Sequence, residues 1–99
     1  MTAEEIRAAV LSLLGQIAPE VDLEGIRPAA DLRDELDIDS MDFLRFMVLL
    51  EETLGVSVPE KEYPRVRTLA GCVAYLVDRG AAVRKGGAAG VAPAGWGGP

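Results

Sequence analysis

Ser40 stands in the run Asp37-Ile38-Asp39-Ser40-Met41-Asp42-Phe43, a hydroxyl set among three carboxylates where an acidic stretch meets a strongly apolar one. A serine alcohol becomes a nucleophile when a base takes its proton, and the usual base is histidine. The chain has no histidine, which also removes the commonest metal ligand. Catalysis by this chain alone is not expected. Calcium fares no better. Asp37 and Asp39 would match the first and third positions of a calcium loop, but Met41, Asp42 and Val48 would then fall at the fifth ligand, the glycine and the bidentate glutamate. The single cysteine, Cys72, forms no internal disulfide and falls on an apolar stripe, where a buried small residue is expected rather than a reactive thiol.

The element that must present Ser40 is the apolar stretch after it. Asp39 or Ser40 can cap a helix there, because a short side-chain oxygen accepts a hydrogen bond from an unpaired first-turn N–H. Asp42 adds negative charge in the same turn, which the helix dipole favours. The spacing predicts a helix from Ser40 to Leu54 closed by Gly55 in the left-handed conformation. Phe43, Phe46, Met47, Leu50 and Leu54 form its core stripe. A second stripe remains: Met41, Leu44 and Val48 lie on another face and are followed by Glu51 and Glu52. A helix apolar nearly all round is either fully buried or keeps a face for a partner, and full burial is hard in a bundle this small.

Around that helix the chain supplies supports. Thr2-Ala3-Glu4-Glu5 reads as a capping box, after which Ile6, Val10, Leu13 and Ile17 recur on one stripe until Pro19 stops the helix. From Ala18 to Asp39 the period is lost, and Val21, Leu23, Ile26, Leu32 and Leu36 are isolated apolar anchors in a long connection. Such a loop in a compact domain is expected only where it is functional or pinned by its own side chains. Val56-Ser57-Val58 is extended, and residues 60–64 allow at most a short helical turn before Pro64. Thr68 caps a last helix carrying Leu69, Cys72, Val73 and Leu76 and ending near Gly80.

ELDIDSMDFL, with LLEETLGVSVPE after it, resembles the carrier-serine region of acyl carrier proteins, and the resemblance extends over roughly residues 3 to 79. It implies an all-α bundle of three main helices and one short one, with a long loop between helices one and two. It further implies that Ser40 is modified with 4'-phosphopantetheine from coenzyme A by a phosphopantetheinyl transferase, for which Asp39 is a docking residue. The arm's thiol would then carry acyl groups as thioesters between acyl-transferring or condensing enzymes of fatty-acid, polyketide or related lipid biosynthesis. Met41, Leu44, Arg45, Val48, Glu51 and Glu52 would face the basic docking patches of those enzymes. Asp37 stands where a glycine is common in the family and Arg45 where an acid is common, departures that fit either a specialised carrier or drift in the partner-facing surface. An aminoacyl or peptidyl carrier, and a carrier-like module that is never modified, share these features and stay open.

The bounds agree with a small carrier. The 99 residues make one domain, with sixteen acidic against ten basic residues, a net charge of −6 and a pI near 4.5. That balance repels nucleic acid and anionic membrane and suits a basic partner. Residues 31–42 concentrate it: six carboxylates against Arg33 leave −5 around Ser40. No N-terminal apolar run is long enough for a signal peptide or a membrane span, so a cytoplasmic monomer is expected. From Gly80 onward the composition shifts to glycine and alanine, with seven of the eleven glycines, no acid and a lone Trp96. A flexible tail is expected there, leaving residues 1–79 as the carrier domain.

Overall fold

The computed structural model describes residues 1–82. Helix α1 spans Ala3–Ile17 and opens with the expected reciprocal cap: the Thr2 amide donates to Glu5 Oε1 at 2.8 Å and the Glu5 amide donates to Thr2 Oγ1 at 3.1 Å. Helix α2 is a five-residue helix, Leu32–Leu36, inside the long connection. Helix α3 runs Ser40–Leu54 and ends on Gly55 at φ 73°, and α4 runs Leu69–Asp78 with Thr68 Oγ1 accepting from the Gly71 amide at 3.0 Å. Two 3-10 segments, Leu23–Gly25 and Glu60–Val66, complete the backbone. There are no strands among the described residues, only an isolated bridge between Asp31 and Thr68.

The core is the union of the stripes. Ile6, Val10, Leu13 and Ile17 are buried as expected, joined by Leu14, which lies a turn above Val10 and is fully enclosed. Phe43, Phe46, Met47, Leu50 and Leu54 are all buried from α3, and Leu69, Cys72 and Leu76 from α4, with Val73 only half-buried and Tyr75 enclosed instead. Burial pushes the Cys72 thiol up to about 12, so it stays neutral and serves as packing. Helix α1 is the shared wall, packed against both α3 and α4. The site helix is therefore a flank of the bundle rather than its centre, which leaves one of its faces open.

Two segments depart from the sequence reading. The connection contains α2, because Asp31 caps it: its Oδ1 accepts from the Arg33 amide at 2.8 Å and its carbonyl from the Glu35 amide at 2.9 Å. The helical turn after Pro59 runs on through Pro64 to Val66, since a loosely bonded 3-10 run tolerates one missing amide donor. The connection is pinned from both sides. Ile26, Leu32 and Leu36 are buried, while the Leu32 amide donates to the Arg67 carbonyl at 2.6 Å and the Ala70 amide to the Pro28 carbonyl at 3.0 Å. At the far end Ala81 is buried and the Ala82 amide donates to the Leu54 carbonyl at 3.3 Å, so contacts with the body continue past residue 79. The expected tail falls largely on residues 83–99, outside the described residues.

Candidate functional site: an exposed serine at the start of α3

Asp39, extended at φ −95° and ψ −178°, is the residue that caps α3: its Oδ1 accepts from the Asp42 amide at 2.9 Å. The alternative left open by the sequence is thereby resolved. Ser40 is the first helical residue, exposed, and its hydroxyl is not spent on the cap. The backbone before it is set by Asp37, the only non-glycine residue with a positive φ among those described, at φ 52° and ψ 49°. Its amide and that of Ile38 both donate to the Arg33 carbonyl, closing α2 and turning the chain into α3 with one residue between the two turns. A left-handed conformation favours glycine, and aspartate is one of the few side chains that tolerates it. This is why Asp37 can stand in for a glycine here.

The acidic surroundings are less acidic than the sequence count. Arg67 Nη2 pairs with Asp31 Oδ2 at 2.9 Å, Arg27 Nη2 with Glu35 Oε2 at 2.9 Å, and Arg45 Nη1 lies 3.9 Å from Asp42 Oδ1. These three arginines, all from outside the helix they neutralise or from the next turn, bring the −5 of residues 31–42 down to −2. The hydrogen bond from the Arg27 guanidinium, with a second from its amide, holds the Glu35 carboxyl below the usual range.

The second stripe of α3 is exposed: Met41 is 69%, Leu44 41% and Val48 53% accessible. Arg45, Glu51 and Glu52 are exposed beside it, with Asp39 at its start. The exposure of Met41, Leu44 and Val48 is as their spacing led the sequence reading to expect. That reading did not find the groove beside Ser40, which shares Leu44 with this face, is about 250 Å³ in volume and is lined by Arg33, Ser40, Phe43, Leu44, Glu60, Tyr63, Pro64 and Arg67. Phe43 and Tyr63 meet edge to face there, with ring centroids 5.7 Å apart. The contributors come from three separate segments, so no local period marks them. The one available signal was Arg33, the sole cation in the acidic run.

A phosphopantetheine group fits these residues. The Ser40 hydroxyl is exposed and unencumbered by the cap, the positive end of a fifteen-residue helix lies at it, and a groove with an apolar floor begins beside it.

The profile of the phosphopantetheine attachment site family matches residues 4–76, and the chain belongs to that family, the phosphopantetheine-bearing acyl carrier proteins. It is 30% identical over 76 residues to the acyl carrier protein of Lactobacillus acidophilus, covering 77% of this chain and 94% of the relative. It is 39% identical over 80 residues to the acyl carrier protein of Rhodococcus erythropolis, covering 76% of this chain and 81% of the relative. It is also 30% identical over 76 residues to the meromycolate extension acyl carrier protein of Mycobacterium bovis, covering 77% of this chain and 65% of the relative. The family's group is 4'-phosphopantetheine. No helix among the described residues is long and apolar enough to cross a membrane.

Proposed function

We propose that Ser40 is the attachment residue and that the chain presents acyl groups to successive enzymes of fatty-acid, polyketide or related lipid biosynthesis. The observation that carries this is the division of labour at the start of α3: Asp39 makes the cap, so the Ser40 hydroxyl is exposed and free to react. In the transferase, Ser40 Oγ forms a bond to the pantetheine-bearing phosphorus of coenzyme A. The pyrophosphate P–O bond breaks, the nucleotide leaves, and the serine proton goes to a base of that enzyme. The bound group supplies a thiol that holds acyl chains as thioesters at high effective concentration. This chain's residues hold the attachment point on a rigid helix end, tolerate the phosphodiester charge through the helix dipole, and offer a face for docking.

That face is Met41, Leu44 and Val48, rimmed by Asp39, Glu51 and Glu52, and it suits a basic patch with an apolar centre. Arg45, on the same face, offsets part of the acid and would discourage a uniformly basic partner, which makes it a specificity element. We place the protein in the cytoplasm as a monomer that meets its enzymes one at a time. The test is intact mass after incubation with coenzyme A and a promiscuous phosphopantetheinyl transferase, for the wild type and Ser40→Ala. One added phosphopantetheine on the wild type and none on the variant is expected. Addition to Ser40→Ala, at Ser12 or Ser57, would overturn the assignment. Modification rates of Leu44→Ala, Glu51→Lys and Arg45→Glu at low and high salt, against Arg7→Glu, test the face. Four identical profiles would place docking elsewhere.

A further inference from the structure

In a chain this acidic, the groove beside Ser40 is lined by two guanidiniums, Arg33 and Arg67, against one carboxylate, Glu60. Arg67 has one Nη on Asp31 and keeps its remaining donors. Among the described residues the half-buried Arg33 has no salt-bridge or hydrogen-bond partner for its side chain, although Asp31, Asp34 and Asp37 line a polar hollow together with it and Arg67. A half-buried arginine that pairs with none of the carboxylates near it keeps its fork of donors available to an anion.

We propose that Arg33 and Arg67 hold the phosphodiester that joins the arm to Ser40, so that the first part of the arm lies on the floor made by Phe43, Tyr63 and Pro64 instead of swinging free. Charge complementarity names the occupant, since a phosphodiester carries its negative charge at every physiological pH and is covalently anchored at the groove's own edge. Size agrees with the start of the arm: about 250 Å³, at roughly 30 Å³ for each water-sized group, holds some eight such groups, enough for the phosphate and the first carbons of the pantoyl portion but not for a long acyl chain. The two arginines also explain how an anion is tolerated next to Asp37, Asp39 and Asp42. The consequence is a carrier whose arm is docked at rest and is released when an enzyme competes for it or when salt screens the pair, the Debye length falling to about 3 Å near molar salt.

This inference rests on attachment at Ser40, and the experiment separates the two. The full chain is converted from apo to holo with coenzyme A and a transferase, and intact mass reports attachment by itself. On ¹⁵N-labelled protein the Nε–H signals of Arg33 and Arg67 and the amide of Tyr63 are compared between apo and holo forms, while the ³¹P resonance of the holo form is followed as salt is raised. Expected are shifts of both arginine signals on conversion, and a ³¹P resonance that moves with salt toward that of the same phosphodiester on a short phosphopantetheinyl-serine peptide. Arg33→Gln, which breaks no side-chain salt bridge or hydrogen bond, should lower the docked-to-free ratio up to about five-fold, the upper end for one partly exposed charge pair. Arg67→Lys should retain part of the effect, and Arg7→Gln should leave it unchanged. Full mass gain with unmoved arginine signals overturns the proposal alone. So do signals that move only when the arm carries an acyl group ending in a carboxylate, because the pair would then read cargo. No mass gain overturns the attachment and this inference together.

Discussion

Asp39→Ala and Ser40→Ala, adjacent substitutions of small polar residues, should fail in opposite ways. Asp39 satisfies the Asp42 amide at 2.9 Å and places a carboxylate on the positive end of α3. Removing such a cap costs about 0.5–2 kcal/mol, and the lost charge–dipole attraction about 0.3–1 kcal/mol more at an exposed end. Because the site is exposed and Asp42 remains in the first turn, the lower half of that range applies, about 1 kcal/mol. With a urea slope of about 2 kcal/mol/M the midpoint falls by about 0.5 M, and a domain of this size loses about 4–8 °C in Tm. Ser40 makes no cap bond and faces solvent, so Ser40→Ala should move stability by less than about 0.5 kcal/mol while abolishing modification. Asp39→Asn separates the two roles of Asp39: the side-chain oxygen still caps, so stability is largely kept, but the charge offered to a transferase is gone and modification should slow. Urea titrations followed by circular dichroism, with modification rates by mass spectrometry on the same three variants, supply both readouts. A Ser40→Ala variant that loses 1 kcal/mol or more beside an unaffected Asp39→Ala would refute the argument, because the hydroxyl would then be holding the helix and not be free.

Three further outcomes follow from particular contacts. Gly71→Ala should destabilise by about 1–3 kcal/mol despite alanine's better helix propensity, because a methyl there meets the Arg65 carbonyl and Thr68 Oγ1 where α4 crosses the 3-10 segment; thermal unfolding checks it. Asp37→Gly should raise the urea midpoint by an amount worth about 1 kcal/mol at most, relieving the left-handed strain at φ 52°, and an unchanged or lower midpoint would show that the aspartate is not strained. Glu35, hydrogen-bonded by the Arg27 guanidinium and amide, and Glu5, by the Thr2 amide and hydroxyl, both titrate below the ordinary 4.5. A carboxyl depressed in the folded state contributes stability that is complete above its unfolded value and is lost as pH falls through the folded one. Stability should therefore decline on acidification below about 4.5, and Glu35→Gln should flatten that decline in a pH series of urea midpoints.

The sequence by itself determined what depends on neighbours three or four residues apart. The Thr2 capping box, the Thr68 cap, the Gly55 closure, the ends of the site helix and the two faces of α3 are all written in local spacing, and the structure places them where that spacing put them. The same local signals carry the resemblance around Ser40, so the family was legible before any fold. Local spacing also sets the limits: with Asp39 and Ser40 adjacent and both able to cap, the sequence left the choice open, and only the geometry of the Asp42 amide decided it. It likewise hid α2, a helix of five residues, too short to show a period.

Tertiary structure alone decided the electrostatics and the floor of the site. Arg27 and Arg67 lie outside the acidic run in sequence and reach Glu35 and Asp31 because buried Ile26, Leu32 and Leu36 and the bridge at Thr68 fold the connection back on the start of α4. Counting charges along the chain cannot see such pairings, since Coulomb attraction depends on distance in space while composition records only order. The groove has the same origin: Arg33, Phe43, Tyr63 and Arg67 share no stripe, and packing of the 3-10 segment beside α3 is what gathers them next to Ser40.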